Sequence, residues 1–433
     1  MTPQSHFMVV APIDSSRDGE LRKLLASMNV RPGVVDPQNV IIPFTEFGRL
    51  HFARLLILAD QTRDDIKQYG VAPPSAVTSL AFLGDCDGDA DDFLADLARR
   101  AGGGLRQIFS HCQGFSAGSD LLQWMKDHAQ PPAAMYVNWI GRTVQQIHEE
   151  NALRNALADH LDKHSAVLTA QSPRQIWESL VAFVYEEIQA RRLSLTPPEP
   201  TPLGWRLRNS IHCVAVPVVI LALTPFLILY LPVFLFQLRR HEVEDPEITP
   251  RPDPTHVQRL ADLEDHDVTN QFSALGSVKP GLFRRWTVTF LVWILDYGCR
   301  HIFNRGYLTR VNTIHFARWV FLDDKQSLLF ASNYDGSLES YMDDFINKVA
   351  WGLNLVFSNG VGYPRTNWLI LNGAKDEQKF KRFIRRHELP TDVWYNAHPG
   401  ITACDMHRNS RIREGIEKSF MNADEVQEWL RLI

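Results

Sequence analysis

The stretch Thr313–Asp344, TIHFARWVFLDDKQSLLFASNYDGSLESYMDD, reads as strand, tight hairpin, strand, polar turn and helix. The chain has already written it once. Leu50–Asp92 begins LHFARLLILADQ and, after a longer loop, continues TSLAFLGDCDGDADD. His51-Phe52-Ala53-Arg54 returns as His315-Phe316-Ala317-Arg318, and Asp87-Gly88 as Asp335-Gly336. Downstream, Phe109-Ser110 and Gly114 match Phe357-Ser358 and Gly362 without a gap. A third block, Gly141, Thr143, His148, Leu153 and Arg154, matches Gly400, Thr402, His407, Ile412 and Arg413 with unchanged spacing. Three blocks in one order mark an internal duplication.

At 433 residues the chain has room for two or three domains. Its net charge of -5 argues against a nucleic-acid partner, which needs a basic face to neutralise phosphates. The five cysteines, Cys86, Cys112, Cys213, Cys299 and Cys404, are scattered and never spaced as CxxC, which suits a reducing compartment. The first residues, MTPQSHFMVVAPID, lack the basic start and long apolar core of a signal peptide.

In the first copy, His6–Ile13 alternates as a strand and Asp14–Met28 as a helix with Leu21, Leu24 and Leu25 on one face. Leu50–Ala59 and Val77–Leu83 form a hairpin, Ala90–His111 a helix and Met135–Ile140 a last strand. The order β-α-β-β-α-β is that of a ferredoxin-like unit. The second copy reads likewise: strand Phe272–Val278, helix Leu282–Phe303, the hairpin, the helix after Asp335-Gly336, an extra helix Asp376–His387 and a last strand Val393–Ala397. The expected fold is α+β: two tandem ferredoxin-like domains, residues 1–157 and 257–433, forming an intramolecular pseudo-dimer around an insertion, 158–256.

The insertion contains an amphipathic helix, Ser172–Arg192, and two proline-rich linkers, Thr196–Pro202 and Glu244–Thr255. Between the linkers lies Ile211–Leu238, IHCVAVPVVILALTPFLILYLPVFLFQL, without one charge. About 20 apolar residues suffice to cross a bilayer. Arg206 and Arg208 before it, and Arg239 and Arg240 after it, favour the cytoplasmic side at both ends. Two domains that pack sheet against sheet must share one side of a membrane, and two full crossings need about 40 residues. A re-entrant hairpin bent at Pro217, Pro225 and Pro232 meets both conditions. The expectation is a monotopic protein on the cytoplasmic face, with the lipid bilayer as partner and Trp286–Leu295 as a candidate second contact.

Two fused units of this kind resemble the dimeric α/β-barrel superfamily and, distantly, its dye-decolourising peroxidases. Asn333-Tyr334-Asp335-Gly336 is similar to the end of the Gly-x-x-Asp-Gly turn of those peroxidases, with Ser332 in place of the first Gly. His407 follows, with Arg411 and Arg413 after it. The resemblance implies a haem on the second copy. His407, or alternatively His398, would be the axial ligand to the iron. Asp335, Arg411 and Arg413 would be catalytic, and His407, His398, Asn409 and Arg365 would bind the cofactor. Tyr334 and Asn359 are further residues peculiar to that copy. The implied activity is a membrane-bound, peroxidase-like oxidoreductase acting on a lipophilic small molecule; substrate, electron donor and oligomeric state, a homo-oligomer included, stay open.

Each repeated residue also has a structural reading. His51/His315 and Arg54/Arg318 sit on strands, Asp87/Asp335 can cap the following helix, and His148/His407 and Arg154/Arg413 can brace the last strand. On that reading the protein is a non-catalytic lipid-binding or scaffold protein. A third reading is a serine hydrolase using Ser116 in Gly114-Phe115-Ser116-Ala117-Gly118, although a nucleophile elbow needs a strand before it and here a helix precedes. An absorption spectrum of the detergent-extracted protein separates them: the haem reading requires a Soret band, and its absence removes that reading.

Overall fold

The computed structural model describes residues 1–73, 77–168 and 171–433. The first half contributes β1 (Gln4–Pro12), α1 (Asp18–Ser27), β2 (Leu50–Leu58), β3 (Ser79–Asp87), α2 (Ala90–Arg100), α3 (Gly102–Phe109), α4 (Leu121–Asp127), β4 (Ala134–Val137) and α5 (Val144–Leu168). Helices α6 (Pro173–Gln189), α7 (Leu203–Glu244) and α8 (Pro254–Ala261) follow. The second half has β5 (Thr269–Ser277), α9 (Leu282–His301), β6 (Ile314–Leu322), β7 (Ser327–Asp335), α10 (Leu338–Phe357), α11 (Glu377–His387), β8 (Thr391–Asn396), α12 (Ala403–Glu417) and α13 (Ala423–Leu430). Short ribbons at 29–35 and 366–372 are left unnumbered.

The protein is mixed α+β, with two four-stranded antiparallel sheets in the orders β1-β3-β2-β8 and β4-β6-β7-β5. Neither half closes its own sheet, contrary to the sequence expectation. Strand β4 pairs with β6 of the second half, and β8 pairs with β2 of the first. The His51 carbonyl accepts from Ala397 N, and the His315 carbonyl accepts from Asn138 N, each at 2.9 Å. The repeated hairpins present equivalent edges, so a short last strand finds the same hydrogen-bonding partners on either sheet.

Both faces of each sheet are covered, which explains why all nine residues of β2 are buried. Alternate side chains point to opposite faces. Leu55 and Ile57 join the core under α1–α4. Leu56 and Leu58 face inward and join Met8 and Leu83 against Leu275, Val320 and Leu329 of the other sheet.

The two repeated arginines cross this sheet–sheet interface in opposite directions. Arg54 donates to the carbonyls of Phe272 (2.8 Å) and Ser332 (2.9 Å), to Ser273 Oγ (2.9 Å) and to Asn333 Oδ1. Arg318 donates to the carbonyls of Phe7 (2.7 Å) and Gly84 (2.9 Å) and to Asp85, which also accepts from Asn333 Nδ2 and contacts His6 Nδ1. The centre is asymmetric: Arg318 meets a carboxylate, whereas Arg54 meets the amide of Asn333 and the face of Trp394 at 5.0 Å. Burial pushes the Arg54 guanidinium down to about 9. Burial works to raise the Asp85 carboxyl, but Arg318, His6 and Arg54 outweigh it and hold it well below the usual range.

The duplication reaches local backbone. Gly88 and Gly336 turn the chain at φ +83° and +85°, the left-handed region that glycine enters without strain. The helix expected over 90–111 breaks at Ala101 (φ -108°, ψ 17°), and α10 breaks at the matching Val349 (φ -143°, ψ 27°). Asp89 and Ser337 cap α2 and α10, the task expected of Asp87 and Asp335.

Segment 211–238 is not a hairpin. It lies inside α7, a continuous helix of 42 residues with Pro217, Pro225 and Pro232 in its interior. A reversal would leave backbone polar groups unpaired among apolar side chains, whereas a helix pairs them locally and a proline bends it without turning it back. At 3.6 residues per turn the three prolines fall within roughly 80° of one another, so their bends add. Pro217 has no N–H for the Cys213 carbonyl, and Tyr297 Oη donates to that oxygen at 3.2 Å. Among the described residues α7 is the one helix long and apolar enough to cross a membrane, and none of its apolar window is buried.

Asp85→Ala should lower the unfolding free energy by about 3–5 kcal/mol, as expected when one member of a buried pair is removed, and Asn333→Asp, which sets a second carboxylate against Asp85 in place of the Asn333 Nδ2 donor, should also destabilise the fold. The carboxyl value is depressed in the fold. Its contribution is therefore complete above the ordinary carboxylate value and disappears as pH falls toward the lower folded value. Denaturant midpoints across acid pH check both statements; equal midpoints for Asp85→Ala and the native protein would refute the role.

Candidate functional site

The repeated histidines and aspartates meet where the exchanged strands end. Asp87 Oδ1 contacts His51 Nε2 at 3.0 Å, and its Oδ2 accepts from Val144 N at 2.9 Å. Asp335 Oδ1 contacts His315 Nε2 at 2.6 Å and accepts from Thr269 Oγ1 at 3.0 Å, while its Oδ2 accepts from Ala403 N at 2.7 Å. Each aspartate thus holds the N-terminus of the helix that follows its own half's exchanged strand, α5 or α12. Strand β4 crosses to the second sheet and α5 returns to the first; β8 and α12 do the reverse. An anionic oxygen at a helix N-terminus satisfies an orphan N–H and complements the helix dipole.

The sequence missed a contact beside His51. Its Nδ1 lies 3.0 Å from His398 Nε2, and the His398 ring also packs against Phe52 and His148. With Asp87 accepting from His51 Nε2–H, the His51 Nδ1 lone pair accepts from His398 Nε2–H. His398 Nδ1 is then a buried acceptor with no partner among the described residues. Burial, followed by the neighbouring His51, His148 and His315, lowers the His398 value well below that of an ordinary imidazole, so the ring is neutral at pH 7. It borders a cavity of about 20 Å³ shared with Phe316 and Val137, room for about one water.

The other expected site residues are dispersed. His407 is exposed on α12, with its ring 5.2 Å from Trp139. The partial burial of its ring against Trp139 and the charges of Arg142 and Arg411 lower its value. In the first half His148 Nε2 donates to the Ala397 carbonyl at 2.7 Å; in the second half the Asn138 carbonyl accepts from Gly306 N instead, so His407 braces no strand. Arg411 is exposed. Arg413 donates to Glu417 (2.8 Å) and to the Thr196 carbonyl (2.9 Å). Asn409 is buried against Asn151. Arg365 donates to the Asp245 carbonyl, just beyond α7. Asn359 donates within its own turn, and Tyr334 stacks on Tyr341.

These residues do not fit a haem pocket. His398 has one nitrogen engaged and space for one water beside it. Asp335 has both oxygens occupied. The apolar hollow between β5, α10 and α11, about 50 Å³, is too small for a lipophilic substrate. Ser116 lies exposed in the turn between α3 and α4, bonded to Ser119 Oγ at 3.1 Å, and no strand precedes it. Among the described residues no cluster of His, Cys, Asp or Glu could hold a metal ion. The chain matches no family model, and neither a curated protein nor a solved structure matches it.

A folded-state value below the ordinary imidazole value of about 6.5 means that the unfolded chain binds the proton first, so this contribution to stability is complete above that pH and falls as the solution is acidified. His398→Gln should therefore flatten the acid limb of the stability–pH profile relative to the native protein. Parallel profiles from pH-dependent denaturant titrations would contradict a buried neutral His398.

Proposed function

We propose that this is a monotopic membrane protein whose two ferredoxin-like halves form an intramolecular pseudo-dimer with exchanged last strands, and that it binds lipid as a non-catalytic scaffold. The observation that carries this reading is the apolar surface of α7 together with the attachment of both its ends to one body. Only Val216, Leu238 and Glu242 of its 42 residues are buried. Near its start, His212 Nδ1 meets His301 Nε2 at 2.9 Å. At its end, the Glu242 carboxylate accepts from Thr366 Oγ1, Trp368 N and Leu369 N, and Asp245 pairs with Lys279 and Arg284.

At 1.5 Å per residue α7 is about 63 Å long, comparable with the width of a body whose radius of gyration is about 22 Å. Tied down at His212 and Glu242, about 45 Å apart along its axis, it lies along one face. Leu282, Trp286, Phe290 and Ile294 of α9, spaced by four, add an exposed apolar stripe. Trp368, Ile370 and Leu371 add another patch at the far end of α7. Water-exposed apolar surface of this extent calls for a cover, and an uncharged run of membrane-spanning length selects lipid over a protein groove. The arginines at both ends of α7 favour the cytoplasmic leaflet. The filled, hydrogen-bonded interior around His398 favours a scaffold over an oxidoreductase.

Replacing Val214–Phe236 by a Gly-Ser linker should release the protein from membranes and from floated liposomes while leaving its thermal unfolding cooperative. A folded deletion protein that still floats, or a tag in the 246–253 linker found across the membrane from the N-terminus, would end the monotopic reading.

A further inference from the structure

Beside the first turns of α7 lies a polar hollow of about 480 Å³ whose walls include Trp205, Asn209, Arg142, Arg305 and Arg413. Arg142 is its unusual member. The residue is 7% exposed, yet among the described residues its guanidinium has no hydrogen bond or ion pair, and Nη2 is buried without an acceptor. Its one close partner is the face of Trp139, 4.5 Å away. A buried cationic donor left without an acceptor is costly, and native proteins seldom keep one without a use.

The duplication supplies the control. Gly141-Arg142-Thr143 repeats as Gly400-Ile401-Thr402, and Ile401 is buried as well. The turn therefore folds with an apolar residue at this position and does not need the charge. Arg413 holds a second buried donor, Nη1, without a hydrogen-bond acceptor among the described residues; its ion pair with Glu150 is long, at 3.9 Å. Arg305, at the mouth, is exposed and without an ion pair among the described residues.

The acids of the hollow are mostly committed. Glu417 holds Arg413, Glu150 accepts from Ser410 Oγ at 2.6 Å, and Arg300 is paired with Asp296. The charges of Glu150 and the exposed Glu414 act on Arg142 from a distance, but among the described residues neither carboxylate bonds it or Arg305. Trp205 and Asn209, the α7 residues that face the hollow, stand within two turns of the uncharged run that begins at Ile211.

We propose that the hollow binds the phosphate of a phospholipid headgroup, with Arg142 as the deep ligand, Arg413 beside it and Arg305 at the mouth, while the acyl chains lie along α7. The proposal rests on the membrane reading of α7 and deepens it. Arginine forks match phosphate oxygens, and basic pockets at a membrane surface take headgroups in this way.

The test is flotation with phosphatidylcholine vesicles, plain or doped with phosphatidate, using the full chain. The native protein should prefer the doped vesicles. Arg142→Gln should lose more than about fivefold of that preference, beyond the effect of one surface charge, and still float with plain vesicles. Arg305→Gln, at an exposed position that packing does not need, should lose part of it. Arg31→Gln, an equal charge loss at an exposed site outside the hollow, should lose none. A native preference kept by Arg142→Gln, or lost equally by Arg31→Gln, overturns the assignment. Abolition of the preference by inorganic phosphate alone would make free phosphate the occupant and overturn the lipid. If the native protein floats with no vesicle, the membrane reading has failed separately. Calorimetry with soluble short-chain phosphatidate then decides the hollow: binding lost in Arg142→Gln supports it, and absence of heat from the native protein overturns it.

Discussion

The reciprocal reach of Arg54 and Arg318 across the sheet interface governs the architecture. Each guanidinium is buried among backbone carbonyls of the opposite sheet, and those carbonyls belong to equivalent residues, Phe272 and Ser332 on one side and Phe7 and Gly84 on the other. A buried cation is tolerable only where several acceptors converge on it. The two sheets therefore have one mutual position in which both arginines are satisfied. The exchanged strands reinforce that position, because each crosses to the partner sheet while the helix after it is held by the aspartate of its own half.

That tie constrains the insertion. Once the halves share strands they cannot lie on opposite sides of a bilayer, whatever the length of the apolar helix between them. The attachment of α7 at His212 and Glu242 is the local expression of the same constraint. Within α7, Tyr297 supplies a hydrogen bond to the Cys213 carbonyl that Pro217 leaves without its helical donor.

The duplication also separates structure from specificity. His51 and His315, or Asp87 and Asp335, do equal work in both halves, and that work is bracing. Positions at which the halves differ within an equivalent frame are more informative. His398 stands where the other half has Trp139, and Arg142 where it has Ile401. The first difference fills the interior with a neutral hydrogen-bonded ring; the second puts a guanidinium with a buried, unbonded donor beside α7. Arg142 lay in plain view inside a repeated block, and the mismatch with Ile401 was the signal that could have singled it out.

The sequence by itself determined the duplication, the α+β class, the hairpins with their Asp-Gly turns and the uncharged run, because these depend on local spacing, turn chemistry and side-chain type. It gave His51, His315 and Asp87 a structural reading and Asp335 both a structural and a catalytic one, without the helices that the two aspartates hold. Only the tertiary structure decided which sheet each last strand joins. Strands as short as β4 and β8 carry no preference between two equivalent edges, and the choice falls to long-range packing. The tertiary structure likewise decided that Ile211–Leu238 runs on as one helix, since the bend at a proline depends on what replaces the lost hydrogen bond. It scattered His407, His398, Arg365 and Arg411, which sequence order alone had grouped, because proximity along a chain does not survive a strand exchange.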